Sequence, residues 1–367
     1  MYFNIGRNIT NGLYYELHNK FIDYKKKVLL IYDVISYQRE SGNTIFDKVG
    51  VKKISQYRGY LTRIDKYSSF DDFFLDHYSS SSRMKIRKNE RKLKTNFRIK
   101  YNVVHKQIDR TDYDNIMDKL FELIEERFTD LKLDNDIVNK KEYYRELFFP
   151  MIKNGTAIIH FICNNNIPIA ISLSFLSNDT LFYAVNTFDT AYRRYNLGHL
   201  SIMNILKWCF ENDKKVLDYS KGTYEYKLRW ANETYCFENH IIYDKSSLKC
   251  KMLTLWIIYY FKFKQFLRVK NINETYVKFK FLIANLFSKN KRANEKYELK
   301  DFNDDIEDDD YDIIGLDTLN DTIKSFINDL LYSKPQPITN VTVYWNKNTE
   351  VYVLIANGIS KQITFKH

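Results

Sequence analysis

The pattern of hydrophobic and polar positions changes from a helical to a strand period in the middle of the chain. Apolar residues recur every three or four positions over Asp112–Phe128, and a second such stretch covers Lys140–Ile152, so both are predicted to be amphipathic helices. Apolar runs follow at Ala157–Cys163, Ile167–Phe175 and Leu181–Val185, separated by Asn- and Ser-rich turns, which predicts an antiparallel meander. The pattern therefore predicts a mixed α/β protein.

The pattern after the meander predicts a strand, a turn and a helix in succession, and then a further short strand. Gly198–Asn212 has a helical period, and Val216–Tyr219 is a short apolar run. Beyond Asp301–Asp312, a run of eight acidic residues and no basic one, the sequence predicts a helix over Leu319–Leu331 and several short strands. The acidic run is predicted to be a linker, and a small helix and strand module follows it.

The stretch Leu248–Lys270 resembles a membrane-spanning helix at first sight. Lys262, Lys264 and Arg268 interrupt it, and the uncharged run Met252–Phe261 is too short to span a bilayer. A cationic, aromatic helix of this kind can lie on a membrane surface. A buried helix whose lysine side chains reach out to solvent fits the pattern equally well. Both alternatives stay open.

Charge and cysteine content narrow the class of protein. The 367 residues have a formal net charge of +11, and Arg83–Lys100 alone contains nine basic residues and one acid. Such a segment predicts a polyanionic partner (a phosphorylated substrate, RNA or an anionic membrane) or a solvated helix face.

The four cysteines form no CxxC pair, so no metal or redox site is predicted. The N-terminus lacks a signal-peptide pattern, so we expect a protein of the cytoplasm. The excess of Asn, Lys, Ile and Tyr is typical of an AT-rich bacterial genome.

The segment with the most chemical information is the turn Arg193–Gly198, between a predicted strand and a predicted helix. A helix N-terminus presents backbone N–H donors and the positive end of a dipole, and the two arginines add charge. This arrangement predicts a site for the phosphates of an acyl carrier such as coenzyme A.

Three groups of residues together resemble a known family. They are the basic segment Arg87–Leu93, the strand–turn–Gly–helix core Phe182–Phe210, and a short strand with Asp218 followed by Gly222, Tyr226-Lys227 and Trp230. Over roughly Phe70–Tyr243, the chain resembles the Fem-like, polysaccharide-associated branch of the GNAT acyltransferase superfamily. The resemblance implies tandem GNAT-like halves with a small C-terminal α+β appendix. The implied domains are residues 1–105 (a degenerate GNAT-like half with the basic helix), 106–246 (the acyltransferase domain), 247–299 (an amphipathic helical region) and 300–367 (the linker and small module).

The resemblance also implies how the donor, acetyl-CoA or another acyl-CoA, is held. The pyrophosphate loop of the superfamily has the pattern Arg/Gln-x-x-Gly-x-Gly/Ala, and here Asn196 replaces the first Gly. Asn tolerates left-handed backbone better than most residues do. The backbone of Leu181–Asn186 is expected to hold the pantetheine arm. The residues expected to bind the donor are Tyr183, Val185, Arg193, Arg194, Asn196, Gly198 and His199.

The residues expected to act in catalysis are Asp218, Tyr226 and Lys227. Asp218 could be a general base if burial raises its pKa, or it could hydrogen-bond Thr223 or Ser220 and shape the loop. Lys227 could neutralise charge near the carrier or a developing oxyanion, or it could be a surface lysine at a helix start. The residues expected to bind the acceptor are Arg87, Arg91 and Glu225.

The resemblance thus implies an N- or O-acyltransferase, most simply an acetyltransferase, acting on a sugar or lipid-linked glycan precursor for the cell surface. Two alternatives stay open. One is a Fem-type transferase that takes its acyl group from aminoacyl-tRNA, with the tRNA bound by the basic segment. The other is a non-catalytic GNAT-like scaffold that contacts the membrane or a partner through Leu248–Lys270.

Overall fold

A computed structural model describes residues 24–37, 48–131, 137–270, 296–302, 310–316, 318–349 and 351–366. The predicted linker Asp301–Asp312 lies largely outside these residues, as do the N-terminus and residues 271–295. The strands are β1 Val28–Ile35, β2 Val49–Arg63, β3 Ile99–Val104, β4 Ala157–Asn164, β5 Ile167–Ser177, β6 Thr180–Phe188, β7 Val216–Lys221, β8 Glu233–Asp244, β9 Lys296–Asp301, β10 Tyr311–Ile314, β11 Thr342–Asn346, β12 Val351–Ala356 and β13 Ile359–Lys366. The helices are α1 Phe70–His77, α2 Ser80–Asn96, α3 Arg110–Leu131, α4 Lys141–Lys153, α5 Leu197–Glu211, α6 Glu225–Trp230, α7 Leu248–Val269 and α8 Asp321–Ser333, and short 3-10 helices cover Val138–Lys140, Thr190–Tyr195 and Ile338–Asn340.

The described residues form two compact units. The first unit takes its residues from Met1–Lys66, Ser177–Phe182 and Lys214–Lys291. The second takes its residues from Tyr67–Leu176, Tyr183–Asp213 and Arg292–His367. The domain boundaries predicted from the sequence stay a prediction.

The first unit is built on strands in the order β1-β8-β2-β7-β6. Strand β2 pairs antiparallel with β8 along most of its length and with β7 near its end, while β6 and β7 run parallel from Thr180 paired with Val216 to Phe182 paired with Asp218. A parallel pair needs a long connection, and here α5 lies between the two strands in the sequence. The apolar side chains at this part of the sheet form one buried cluster, which consists of Ile35, Leu61, Val216, Tyr235 and Phe237.

Strand β2 was not predicted from the sequence. Its fifteen residues include two lysines, a glutamine and two glycines, so neither strict alternation nor a continuous apolar run marks it. The glycines have a structural reason, because a Cβ added at Gly50 would overlap the ring of Tyr243 and one at Gly59 the ring of Tyr235. Both tyrosines lie directly opposite these glycines on β8. Glycine in β2 therefore lets the aromatic rings of the neighbouring strand lie against the backbone.

The second unit contains strands in the order β6-β5-β4-β3 and a separate five-stranded sheet in the order β10-β11-β12-β13-β9. Strands β3, β4 and β5 pair antiparallel, as the predicted meander requires for its first two strands. Helices α4 and α5 pack against β4, and α8 packs against α2 and the 3-10 helix Thr190–Tyr195. The predicted mixed α/β fold class, with a small C-terminal α+β part, is confirmed.

Candidate functional site

In the first unit, strand β7 carries a carboxyl group two residues before a segment with left-handed backbone. Asp218 is fully buried. The backbone then turns through Ser220, at a φ of 62°, and Gly222, at a φ of 95°. A left-handed conformation at a residue other than glycine costs roughly 1 kcal/mol, and strain of this kind is often found at functional sites. The Ser220 N–H offsets part of this cost by donating to Asp218 Oδ1 over 2.6 Å.

Two tyrosine hydroxyls complete the shell around the carboxylate. Tyr37 Oη donates to Asp218 Oδ2 over 2.8 Å, and Tyr235 Oη lies 2.7 and 2.8 Å from the two carboxylate oxygens. The two rings meet edge to face with their centroids 4.7 Å apart. Neither tyrosine was predicted as a site residue, since Tyr37 lies 181 positions from Asp218 in the sequence. We call Asp218, Tyr37, Tyr235, Ser220 and Lys227 the Asp218 cluster.

The electrostatics of the Asp218 cluster favour a carboxyl group that titrates near neutral pH. Burial raises the pKa of Asp218 to about 6, against the lowering effect of the hydrogen bonds from Tyr235, Ser220 and Tyr37 and of the Lys227 charge. Burial and the neighbouring carboxylate raise the pKa of both tyrosines, so their hydroxyls stay protonated as donors. Of the two roles predicted for Asp218, loop shaping is seen directly through Ser220. Thr223 bonds Tyr60 instead, over 2.9 Å.

Lys227 is buried, and the surface-lysine alternative is therefore wrong. Its side chain is on α6 and its Nζ donates to the carbonyl oxygen of Lys221 over 2.6 Å and to that of Ser220 over 3.4 Å. Burial lowers the pKa of Lys227 to about 8, against the attraction of Asp218. Lys227 thus holds the turn after β7 and brings a positive charge close to the buried carboxylate.

The other two predicted residues on α6 are placed differently. Glu225 is exposed at the first position of the helix and forms an ion pair with Arg229. Tyr226 is half-buried, and its ring stacks on that of Tyr224 with the centroids 6.1 Å apart. Neither side chain joins the shell of hydrogen bonds around Asp218 described above.

In the second unit, the basic turn contains one residue in the left-handed backbone region. Asp189 caps the 3-10 helix by accepting from the Ala191 N–H over 2.8 Å. Asn196 follows at φ 56° and ψ 50°, in the left-handed region, and α5 begins at Leu197. Asn is one of the few residues other than glycine that adopt this conformation readily.

The two arginines of this turn contact α8. Arg193, whose side chain is 70% exposed, lies 3.6 Å from a carboxylate oxygen of Asp329. Arg194 donates to the Asp329 carbonyl over 3.3 Å and to Ser333 Oγ over 3.2 Å, and its guanidinium lies 4.8 Å from the ring centroid of Tyr332. No pattern in the sequence predicted this contact, because α8 follows the turn by more than a hundred residues.

Tyr195, which is fully buried, also anchors the turn. Its hydroxyl donates to the carbonyl oxygen of Asn328 on α8 over 3.0 Å and accepts from Asn96 Nδ2 on α2 over 2.7 Å. The C-terminal helix is thus part of the support of the basic turn.

The other residues that were predicted to bind the acyl donor belong to β6 and to the start of α5. Tyr183 and Val185 are buried side chains of β6. Gly198 and His199 lie in the first turn of α5, where the His199 N–H donates to the Asn196 carbonyl over 2.9 Å. The predicted donor-binding residues therefore come together in the second unit, and the predicted catalytic residues in the first.

The predicted acceptor contacts Arg87 and Arg91 are exposed on α2. Arg87 lies 3.8 Å from a carboxylate oxygen of Asp71, and its guanidinium lies 5.6 Å from the ring centroid of Phe74. Exposed bases on this helix are Lys85, Arg87, Lys88, Arg91 and Lys94. The helix presents a basic surface to solvent.

A cavity of about 440 Å³ in the second unit is lined by four carboxyl groups. Burial is the main cause that raises the pKa of two of them, Glu126 and Asp189. None of the predicted site residues lines this cavity. Within the described residues, no group of three or more His, Cys, Asp or Glu side chains is placed to hold a metal ion.

Comparison with known proteins identifies the family of the central segment. Residues 80–228 match the model of the acetyltransferase (GNAT) domain. No curated protein sequence matches the chain. Solved structures to which part of the chain is similar include FemX (13% identity, 52% of this chain and 62% of that chain, TM-score 0.38), L-PGS from Bacillus licheniformis (10%, 57% and 67%, 0.36) and a tandem GNAT protein from the clavulanic acid biosynthesis pathway (8%, 58% and 63%, 0.32).

These structures are distant, and the chain spans about two thirds of their length, so they do not bear on substrate or partner. The match to the family model includes the basic turn and most of the Asp218 cluster, namely Asp218, Ser220 and Lys227. Over residues 80–228, the chain therefore matches the acetyltransferase domain of the GNAT superfamily.

Proposed function

We propose that the chain transfers an acyl group, most simply acetyl, from acyl-CoA to an amine or hydroxyl of a sugar or lipid-linked glycan precursor. The observation that supports this most is the match of residues 80–228 to the GNAT domain. The acceptor class follows only from the resemblance to the polysaccharide-associated branch. The reaction would take place in the cytoplasm, where lipid-linked precursors are reached at the inner face of the membrane.

The donor is proposed to bind at the basic turn. Arg193 and Arg194 offer positive charge, Asn196 supplies the left-handed backbone, and α5 begins directly after it. Hydrogen bonds from charged groups contribute about 1.5–3 kcal/mol each. Because both arginines also contact α8, phosphate binding would require them to share or exchange those contacts.

The acceptor proton is proposed to leave through the Asp218 cluster. Within the first unit, an acceptor amine or hydroxyl would give its proton to Tyr37 Oη, whose own proton passes to Asp218 Oδ2, 2.8 Å away. In the overall reaction, a C–N or C–O bond forms, the C–S bond of the thioester breaks, and CoA leaves as its thiolate, which then takes up a proton. Asp218 is fully buried, so Tyr37 would act as the intermediary and Asp218 as the final base. The charge on Lys227 would keep the carboxyl group ionised.

A second candidate function is supported by the exposed bases of α2. A tRNA would bind such a surface through its phosphates, and the reaction would then transfer an aminoacyl group as the Fem transferases do. Binding of this kind weakens steeply with salt, because each neutralised phosphate releases a counterion. The non-catalytic scaffold differs from both candidates in having no donor affinity.

The test is a transfer assay in which free CoA thiol is measured with acetyl-CoA and a panel of amine- and hydroxyl-bearing sugar nucleotides. The proposed function predicts thiol release that depends on one acceptor class. It also predicts a product that gains the acetyl group by mass spectrometry. A parallel assay with aminoacyl-tRNA separates the two enzymatic candidates. Transfer only from aminoacyl-tRNA would contradict acyl-CoA as donor, and no transfer from either would leave the scaffold.

A further inference from the structure

Helix α7 packs in the first unit through one of its faces only. The buried side chains on that face are Cys250, Thr254 and Phe261. Cys250 and Phe261 join a buried cluster with Val28 of β1, Ile54 of β2 and Ile241 of β8. Arg268 fixes the far end by donating to the Gln56 carbonyl over 3.1 Å and placing its guanidinium 3.9 Å from the ring centroid of Tyr57. This face of α7 is therefore buried against strands β1, β2 and β8.

The opposite face of α7 is apolar as well, and it is exposed. Six large side chains recur every three or four residues along it, and each is more than half exposed: Leu248, Met252, Trp256, Tyr259, Phe263 and Phe266, at 72, 56, 75, 68, 61 and 54%. Single exposed apolar residues are ordinary on a protein surface, but a contiguous row of large ones marks an interaction surface. We call these six residues the α7 outer row.

The charge next to the α7 outer row has one sign. Lys249, Lys251, Lys262 and Lys264 are all exposed. The helical period places Lys251 and Lys262 on one side of the row and Lys249 and Lys264 on the other. Leu248–Val269 contains no acidic residue. The α7 outer row is therefore an apolar stripe with positive charge along both sides. It is complementary to a surface with an apolar interior and an anionic boundary.

We propose that the α7 outer row docks on an anionic lipid bilayer, with the helix lying in the plane of the interface. The apolar side chains would enter the headgroup boundary, and the lysines would contact lipid phosphates. Trp256 and Tyr259 are residues that prefer this boundary, because one end of each ring system is apolar and the other is polar. No described helix is long and apolar enough to cross a membrane, so the docking would be peripheral.

A second copy of the chain is a poorer occupant on charge grounds. Two α7 helices packed through the same row would bring their lysine borders together without any acid on the helices to pair with them, and like charges repel. An anionic bilayer has the complementary charge. The inference deepens the proposed function, since docking would bring the enzyme to lipid-linked acceptors, but its test involves no acyl transfer.

The experiment is co-sedimentation of the full chain with vesicles of phosphatidylglycerol and phosphatidylcholine in equal parts, compared with phosphatidylcholine alone. The row variant is Trp256→Ser/Tyr259→Ser/Phe263→Ser, and the charge variant is Lys249→Gln/Lys251→Gln/Lys262→Gln/Lys264→Gln. The control, Leu75→Ser/Met84→Ser/Tyr143→Ser, removes three apolar side chains that are also more than half exposed but lie in the second unit. All substitutions are at exposed positions, and circular dichroism of each variant checks that it folds.

Docking predicts that the wild type and the control sediment with the anionic vesicles and much less with the neutral ones. Each lysine near an anionic surface contributes about fivefold in affinity, so the charge variant should lose at least about tenfold. The row variant should lose binding, and the emission of Trp256 should shift to the blue on vesicle addition. The proposal would be overturned if the wild type did not sediment with the anionic vesicles, or if the row variant sedimented as much as the wild type. It would also be overturned if the wild type were a dimer and the row variant a monomer. Donor binding is measured separately, so failure here leaves the acyltransferase proposal untouched.

Discussion

At the scale of single residues, the chemistry of the Asp218 cluster depends on one buried carboxyl group and its four partners. The carboxyl accepts from two tyrosine hydroxyls and one backbone N–H, and a buried lysine lies close enough to influence its pKa. Removing one partner from such a network leaves a buried polar group unsatisfied, which costs about 1–3 kcal/mol. Changes at this site should therefore affect both structure and activity, and only a pH profile separates the two.

We expect kcat/KM to depend on pH as a bell. The pKa of Asp218 is raised to about 6, above its ordinary value of 3.8, so activity should rise as pH increases through about 6 and the carboxyl loses its proton. The pKa of Lys227 is lowered to about 8, so activity should fall above about pH 8 as the ammonium is lost. Steady-state rates measured from about pH 5 to about pH 9, roughly one unit beyond each of the two pKa values, would show both limbs.

The variants that test this assignment are Asp218→Asn and Tyr37→Phe, with Tyr60→Phe as the matched control. All three remove a polar group near the turn, but the hydrogen bond described for Tyr60 is to Thr223 and not to Asp218. General-base catalysis contributes about 10²–10⁴-fold, so the first two variants should lose activity within that range, and the residual rate of Asp218→Asn should lack the acidic limb. An acidic limb that survives in Asp218→Asn would show that Asp218 only shapes the loop.

At the scale of elements, the glycines of β2 matter because of the rings that lie opposite them. Gly59→Ala should cost about 1–3 kcal/mol by overpacking and should displace Tyr235 from Asp218. Gly50→Ala makes the same kind of overlap with Tyr243, which has no contact with the Asp218 cluster among the hydrogen bonds described, and serves as the control. We expect similar losses in the free energy of unfolding for both, measured in urea. Only Gly59→Ala should also shift the acidic limb of the pH profile.

The basic turn allows a second test at this scale, with two substitutions at one position. Asn196 is held in the left-handed region, where a residue with an ordinary Cβ costs roughly 1 kcal/mol or more. Asn196→Ala should therefore lower the free energy of unfolding by about that amount, whereas Asn196→Gly should change it by only a few tenths. Thermal unfolding of the two variants side by side measures the difference. An alanine variant as stable as the glycine variant would contradict the left-handed turn.

At the scale of the whole molecule, the sequence predicted those parts whose signal is local. The helix α7, the helical segment α2, the meander strands and the left-handed turn all follow from periodicity or from a single residue type, such as Asn196. Strand β2 did not, because its identity depends on pairing with β7 and β8 and on the rings over Gly50 and Gly59. Tyr37 and Tyr235 could not be predicted either, since contacts between distant positions leave no periodic trace. The contact of α8 with Arg193 and Arg194 is of the same kind.

We expect the segment that matches the GNAT domain, residues 80–228, to bind an acyl-CoA through the basic turn. Calorimetric titration with acetyl-CoA tests it directly, using the wild type, Arg193→Ala/Arg194→Ala, and Lys249→Ala/Lys251→Ala as a control that removes two positive charges elsewhere. The proposal predicts micromolar binding by the wild type and the control, and a loss of at least about tenfold in the arginine variant. No heat from the folded wild type, or equal binding by the arginine variant, would contradict it.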